Sequence, residues 1–94
     1  MNVLPTIHLN GTGAETLRDD ALAQRSAVQD LLDAMRKAEF NARDYYPVEG
    51  SWERARAERQ AFADVLRSAS DHFMEVAEHA QKHLDEREAR RTRL

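Results

Sequence analysis

Two long segments of the chain place apolar residues at the spacing of an α-helix. In the first segment they recur every three or four residues, at Leu17, Ala21, Val28, Leu31, Leu32 and Met35. In the second segment they recur at Trp52, Ala55, Phe62, Val65, Leu66, Ala69, Phe73, Val76, Ala80 and Leu84. This spacing gives each helix one apolar face. The residues that break helices all lie outside the two segments, at Pro5, Gly11, Gly13, Pro47 and Gly50. The pattern therefore predicts two helices with one connection between them.

The predicted fold is all-α, an antiparallel two-helix hairpin preceded by an extended N-terminal arm. Thr12 and Glu15 have the spacing of a capping box at the start of the first helix. Ser51 is a suitable N-cap for the second, because its hydroxyl can accept a first-turn amide hydrogen. We expect one domain over residues 1–94, divided into an arm at 1–12, helix one at 13–40, an aromatic loop at 41–50 and helix two at 51–90.

The predicted helices differ in length, and this difference indicates self-association. At 1.5 Å per residue, helix one is roughly 40 Å long and helix two up to about 60 Å. A simple hairpin would leave about four turns of helix two without an intramolecular partner. That overhang would carry Phe73, Val76 and Ala80. Since an apolar face without a partner is expected to be buried by another chain, we predict a helical homo-oligomer.

Composition narrows the possible functions. The 94 residues are 41% hydrophobic and 33% charged, with a net charge of −3, so the sequence suggests a single domain without the basic surface that binds duplex nucleic acid. The absence of cysteine excludes disulfides and thiolate sites. No apolar run is long enough to span a membrane, and the N-terminus is too short and polar for a signal peptide. We expect a soluble cytoplasmic protein with no membrane partner.

The first candidate site is the turn before helix one. Backbone amides around Gly11 and Gly13 could point together at an anion, and the positive end of the helix dipole would add to the attraction. His8, Asn10 and Thr12 could supply side-chain contacts to a phosphate or to the edge of a base. The alternative is a capped helix preceded by a turn, with Asn10 and Gly11 supplying a positive φ angle.

The second candidate site is the aromatic loop. Tyr45 and Tyr46 precede Pro47, which favours extended backbone and would point the two rings to opposite sides. One tyrosine could then anchor the loop while the other stacks on a base. Arg43 could offer a planar donor pair to a phosphate. The alternative is a connection held to the helix ends by aromatic packing, with Arg43 and Asp44 in solvent.

Two arginines of helix two are also candidates. Arg59 interrupts the apolar face and Arg67 borders it, so we expect both to turn inward across a subunit boundary. A buried arginine needs a carboxylate or a bound phosphate as its partner. No arrangement of nucleophile, base or paired carboxylates and no cofactor fingerprint is recognisable. The chain is therefore predicted not to be an enzyme and to need no cofactor.

Three histidines follow one side of helix two. His79 and His83 have the i, i+4 spacing that can chelate a metal ion, and His72 lies near them. The same residues border the apolar face, where side chains of mixed polarity commonly line an interface between subunits. The interface interpretation is preferred, and no metal site is predicted.

Two short motifs resemble those of a family of small proteins encoded by tailed phages and prophages. They are His-Leu-Asn-Gly-Thr at 8–12 and Arg-Asp-Tyr-Tyr-Pro at 43–47, with Gly13 where the family pattern has serine. The predicted architecture is also similar to that of phage sponge proteins, which sequester the cyclic oligonucleotide signals of host immunity. That similarity implies pockets between subunits, in which stacked tyrosines, hydroxyl residues and arginines hold the ligand.

The sequence thus suggests a sponge that binds a cyclic di- or trinucleotide in the host cytoplasm without cleaving it, and so counters anti-phage defence. The alternative is a protein–protein interaction module, either an inhibitor of a host defence protein or a helical scaffold component. Only a few well-placed donors are needed for a ligand with two or three phosphates, so the acidic net charge is compatible with the first function.

Overall fold

Two long helices contain most of the chain. A computed structural model describes residues 3–93, with α1 at Ala14–Lys37, a short 3₁₀-helix at Ala42–Asp44 and α2 at Ser51–Thr92. No strand occurs within residues 3–93, so the all-α prediction is confirmed for that part of the chain. Residues 1, 2 and 94, the ends of the predicted domain, lie outside the described residues. None of the described helices is both long and apolar enough to cross a bilayer.

The two helices run antiparallel. Three side-chain hydrogen bonds cross between them, from Arg18 to Gln81, from Gln29 to Ser70 and from Arg59 to the carbonyl oxygen of Met35. The partner's number falls as the α1 residue number rises, which defines both the direction and the register of the hairpin. α1 therefore packs along the part of α2 that extends from about residue 59 to beyond residue 81.

This register corrects the predicted overhang. Phe73, Val76 and Ala80 do not extend past α1, because Ala77 and Ala80 are buried in the helix interface and Phe73 and Val76 are half-buried. The physical reason is the path of residues 38–50, which continue beyond the end of α1 before the chain reverses. The first turns of α2 lie beside this connection, and the rest of α2 lies beside α1.

The helix termini also differ from the predicted ones. Gly13, with φ −63° and ψ 151°, is the N-cap of α1, and no side chain caps that end. Thr12 is therefore not the cap, and the predicted capping box is wrong. Gly50 is the N-cap of α2 in the left-handed conformation, φ 75°, which glycine adopts at little cost. Ser51 instead donates its hydroxyl hydrogen to the carbonyl oxygen of Tyr45 at 2.7 Å.

The core of the hairpin consists of small side chains. Among the described residues, the buried positions are Ala14, Ala21, Ser70, Ala77 and Ala80. No large side chain of residues 3–93 is fully buried. Small residues allow the two helices to approach closely, since the side chains at the contact set the distance between helix axes. A core of this kind removes little apolar surface from water.

The N-terminal arm contacts the C-terminal half of α2. His79 Nε2 lies 2.8 Å from the carbonyl oxygen of Pro5, so this nitrogen donates the hydrogen bond. Ile7 is half-buried, whereas Val3 and Leu9 are almost fully exposed. The arm thus packs on the helix through only some of its apolar residues.

Candidate functional site

The aromatic loop is held by a chain of turns. Backbone hydrogen bonds connect Asp44 N to Asn41 O, Tyr45 N to Ala42 O, Val48 N to Tyr45 O and Ser51 N to Val48 O. Each bond closes a tight turn, and Gly50 allows the positive φ angle that leads into α2. The connection is therefore an ordered platform rather than a loose linker.

Tyr45 anchors this platform through ring contacts. Its ring centroid lies 5.8 Å from that of Phe40 and 5.7 Å from that of Trp52. Phe40 and Trp52 lie 4.8 Å apart, so the three rings form one cluster between the end of α1 and the start of α2. Such aromatic pairs contribute about 0.5–1.5 kcal/mol each beyond the area that they bury. Tyr45 is half-buried, and these ring contacts fix its position at the helix ends.

Tyr46 has the opposite environment. It is 78% exposed, and no ring contact involves it among the described residues. The prediction of extended backbone through both tyrosines is wrong, because Tyr45 has φ −120° and ψ −11° at the end of the 3₁₀-helix. The turn nevertheless separates the two rings, and Tyr46 is the one that presents an open face to solvent.

Arg43 lies on the same loop and is also open to solvent. Its Nη2 atom is 3.8 Å from Glu39 Oε2, and its side chain is 75% exposed. An exposed ion pair at this distance contributes little to stability. The guanidinium is therefore free to exchange this carboxylate for a stronger anionic partner.

The N-terminal window forms a separate turn. Gly11 N donates to His8 O at 3.1 Å, and the His8 ring lies against Gly11, where an added Cβ would come within 2.7 Å of Nε2. The alternative in which Gly11 supplies a positive φ angle is wrong, since among the described residues only Gly50 has one. Asn10 and Thr12 are exposed. A side chain at position 11 would therefore require the exposed His8 ring to move aside.

The two predicted halves of the site do not meet within one chain. The window at 8–12 precedes α1, whereas the aromatic loop follows it, so 24 residues of helix, or about 36 Å, separate them. The whole molecule is 71 Å long and only 24 Å by 20 Å in cross-section. His8, Asn10, Gly11 and Thr12 therefore cannot share a small ligand with Arg43, Tyr45 and Tyr46 of the same chain.

The other two predicted residues belong to a cleft between the helices. This arginine cleft, formed by the C-terminal half of α1 and the N-terminal half of α2, has a volume of about 660 Å³. Arg59 and Arg67 line it together with Arg36 and Arg56. Its other walls are Gln29, Leu32, Asp33, Met35, Ala38, Phe40, Gln60 and Ala63. Its volume is within the usual range for small-molecule sites, about 300–1,000 Å³.

The partner of Arg59 is not the one predicted. Its guanidinium donates to the carbonyl oxygen of Met35 and stacks on the Phe40 ring, with Cζ 4.5 Å from the ring centroid. The last carbonyls of a helix have no intrahelical donor, and Arg59 satisfies one of them in α1. Within the chain Arg59 thus has a backbone partner rather than a carboxylate, and its inward turn across a subunit boundary stays a prediction.

Arg67 remains near the surface. Its Nη1 atom is 3.2 Å from Asp64 Oδ1, one turn away on α2, and its side chain is 59% exposed. The prediction that it turns inward is not met within the chain, although it does line the cleft. Its ion pair is of the weak, exposed kind.

Sequence reasoning missed Arg36 and Arg56 as members of this cluster. On α2, Arg56, Arg59 and Arg67 follow steps of three and eight residues, which places them along one flank of the helix. That signal was present in the sequence. The approach of Arg36 from α1 depends on the register of the hairpin, which the sequence pattern did not provide.

Two of the three histidines of α2 make ordinary contacts within the chain. His79 binds Pro5 O, and the His72 ring lies 5.5 Å from that of Phe73. Within residues 3–93, no group of three or more histidine and acidic side chains is arranged to hold a metal ion.

Comparisons of the chain with protein-family models, with curated proteins and with solved structures gave no significant match.

Proposed function

We propose that this protein is a sponge, a helical homo-oligomer that binds a cyclic di- or trinucleotide and holds it without chemical change. In this proposal it is a phage or prophage accessory protein that acts in the host cytoplasm and withdraws an immune signal. The observation that carries the proposal is the exposed ring of Tyr46 on an ordered loop. A solvated aromatic ring with no packing role is suited to stacking on a base.

The loop supports this role because it is ordered before any ligand arrives. Tyr45 and its ring cluster hold the loop, and successive turn hydrogen bonds fix its backbone. Ordering a flexible loop on binding would reduce affinity, and an ordered one avoids that cost. Arg43 lies three residues from Tyr46 and could contact a phosphate while the ring contacts the base.

The exposed surface of the chain supports the oligomer. A compact monomer of 10.8 kDa is expected to expose about 5,500 Å², whereas this chain exposes 7439 Å². The difference is about 1,900 Å², which is comparable to what one chain buries in an obligate assembly. Phe62 and Val65 contribute to this excess, being 63% and 66% exposed, and their i, i+3 spacing places them on one flank of α2. We propose that a second copy of the chain covers this flank.

Assembly would also bring together the two candidate windows, residues 8–12 and the aromatic loop, which lie far apart within one chain. A second copy that runs antiparallel to the first would carry its residues 8–12 toward the aromatic loop of its partner. Backbone amides and the hydroxyl of Thr12 would then face Tyr46 and Arg43 across the subunit boundary. In this arrangement each pocket needs two chains.

Calorimetry against a panel of cyclic di- and trinucleotides tests the proposal. At least one of them should bind, raise the melting temperature by mass action, and be recovered unchanged by chromatography after the protein is denatured. Linear dinucleotides of the same bases serve as controls and should bind more weakly. If no cyclic nucleotide binds at ligand concentrations well above micromolar, or if the bound one is recovered cleaved, the sponge proposal fails.

The exposed Phe62 and Val65 also favour a second function, the protein–protein interaction module. In that case the flank would contact a different protein rather than a second copy. A chain that is monomeric by light scattering and indifferent to every nucleotide would support this alternative.

A further inference from the structure

The arginine cleft has a charge opposite to that of the chain as a whole. Four guanidinium groups line it, from Arg36, Arg56, Arg59 and Arg67, against the single carboxylate of Asp33. The chain has a net charge of −3. Cationic groups repel each other when they are brought together in one concave space, and a bound anion relieves this repulsion. The distribution is therefore what an anion site requires.

Several of these guanidinium groups have donors to spare. Arg56 pairs with no carboxylate among residues 3–93, and its Cζ atom lies 5.9 Å from the centre of the Trp52 ring. Arg59 uses a backbone carbonyl and a ring face, which leaves other N–H groups of its five available. Arg36 and Arg67 pair with Asp33 and Asp64 one turn away on their own helices. Both pairs are exposed and therefore weak enough to yield to a multivalent anion.

The helix dipole of α1 opposes anion binding in the cleft, and Arg59 largely offsets it. The cleft adjoins the C-terminus of α1, where the helix dipole is negative. Arg59 donates to the carbonyl of Met35 at this end, so the guanidinium neutralises the dipole where the cleft begins. The remaining N–H groups then face a space whose charge is set by the arginines.

The number of guanidinium groups in the cleft favours phosphate over carboxylate, because a terminal phosphate group offers three acceptor oxygens and a carboxylate offers two. A guanidinium presents a planar pair of donors that matches two phosphate oxygens, and a ligand with two phosphates can engage arginines from both helices. Arg36 comes from α1 and the other three from α2, so such a ligand would bridge the hairpin. We propose that the arginine cleft is a phosphate-binding site contained within one chain, for ligands with two or more phosphate groups. It is distinct from the loop that carries Tyr46, and it does not depend on the sponge function.

Titration with inorganic pyrophosphate at low ionic strength tests this inference. We expect binding to the wild type with one site per chain, and weaker binding as salt screens the contacts. Arg56→Ala should lower the affinity about tenfold or more, the effect of a lost charge-assisted hydrogen bond. Arg90→Ala is the matched control, because it removes the same charge from the same helix far from the cleft and should leave the affinity unchanged.

Two further arms distinguish phosphate recognition in the cleft from general attraction between charges and from binding at the aromatic loop. Citrate carries a similar charge without phosphate geometry and should bind more weakly than pyrophosphate. Tyr46→Ala should leave pyrophosphate binding intact. The inference is overturned if pyrophosphate fails to bind at millimolar concentration, if Arg90→Ala weakens it as much as Arg56→Ala does, or if citrate binds as tightly. Pyrophosphate binding without any binding of cyclic nucleotides would keep the cleft and reject the sponge, and the reverse result would reject only the cleft.

Discussion

Replacing each of the two adjacent tyrosines by alanine should give opposite results. Tyr45→Ala removes two ring contacts, at 5.8 and 5.7 Å, which together contribute about 1–3 kcal/mol. The apolar area of its half-buried ring adds roughly 1 kcal/mol, for a total loss of about 2–4 kcal/mol. In a chain of this length that loss lowers the melting temperature by roughly 10 °C or more. Tyr46→Ala should change stability by less than about 0.5 kcal/mol, as exposed substitutions usually do.

For ligand binding we expect the opposite order, with Tyr46→Ala having the larger effect. If Tyr46 stacks on a base, its loss should weaken binding of the cyclic nucleotide by about 1–3 kcal/mol, or roughly ten- to a hundredfold. Tyr46→Phe should keep most of the affinity, because the ring face makes the contact. Urea denaturation at one fixed protein concentration measures the first effect, since assembly makes stability concentration-dependent, and calorimetry measures the second. A stable Tyr46→Ala protein that binds the nucleotide like the wild type would refute the stacking role.

The remaining predictions concern the assembly and the start of α1. Val65→Glu should reduce the molecular mass measured by light scattering, because it places a charge on the proposed interface, where Val65 is 66% exposed; an unchanged mass would count against this interface. Thr12→Ala should change the free energy of unfolding by less than about 0.5 kcal/mol, since Gly13 is the N-cap. Gly13→Ser should stabilise the protein by a few tenths of a kcal/mol by supplying the missing cap, and a loss of about 1 kcal/mol in Thr12→Ala would contradict this account.

The sequence was sufficient to predict the two helices but not their register. Helical spacing and the positions of glycine and proline are local signals, and they located both helices. The register depends on how far the chain travels between α1 and α2. Residues 38–50 continue beyond α1 through a 3₁₀-helix and a series of turns, and no periodic pattern encodes that path. The predicted overhang requires a short reversal, which the chain does not make.

The candidate site could likewise be predicted only where local sequence signals determine it. Tyr46 and Arg43 could be named because an aromatic and basic loop is visible in sequence, but the choice between Tyr45 and Tyr46 required the ring cluster. The cleft that contains Arg36 and Arg56 is created by the register and is not visible in the sequence pattern. The capping prediction was wrong for a related reason, because the φ and ψ angles of one residue decide whether Thr12 or Gly13 is the N-cap.

The small-residue core connects the fold to the proposed assembly. Helices that meet through Ala21, Ala77 and Ala80 can pack closely, but burying alanine methyl groups yields far less free energy than burying leucine or phenylalanine. The larger apolar side chains, among them Phe62 and Val65, are left partly in water. A second copy could bury them and would at the same time bring an N-terminal window to each aromatic loop. On this argument, the assembly stabilises the fold and completes the nucleotide pocket through the same contacts, so a variant that dissociates the oligomer should lose the nucleotide as well, while a phosphate site within one chain should survive.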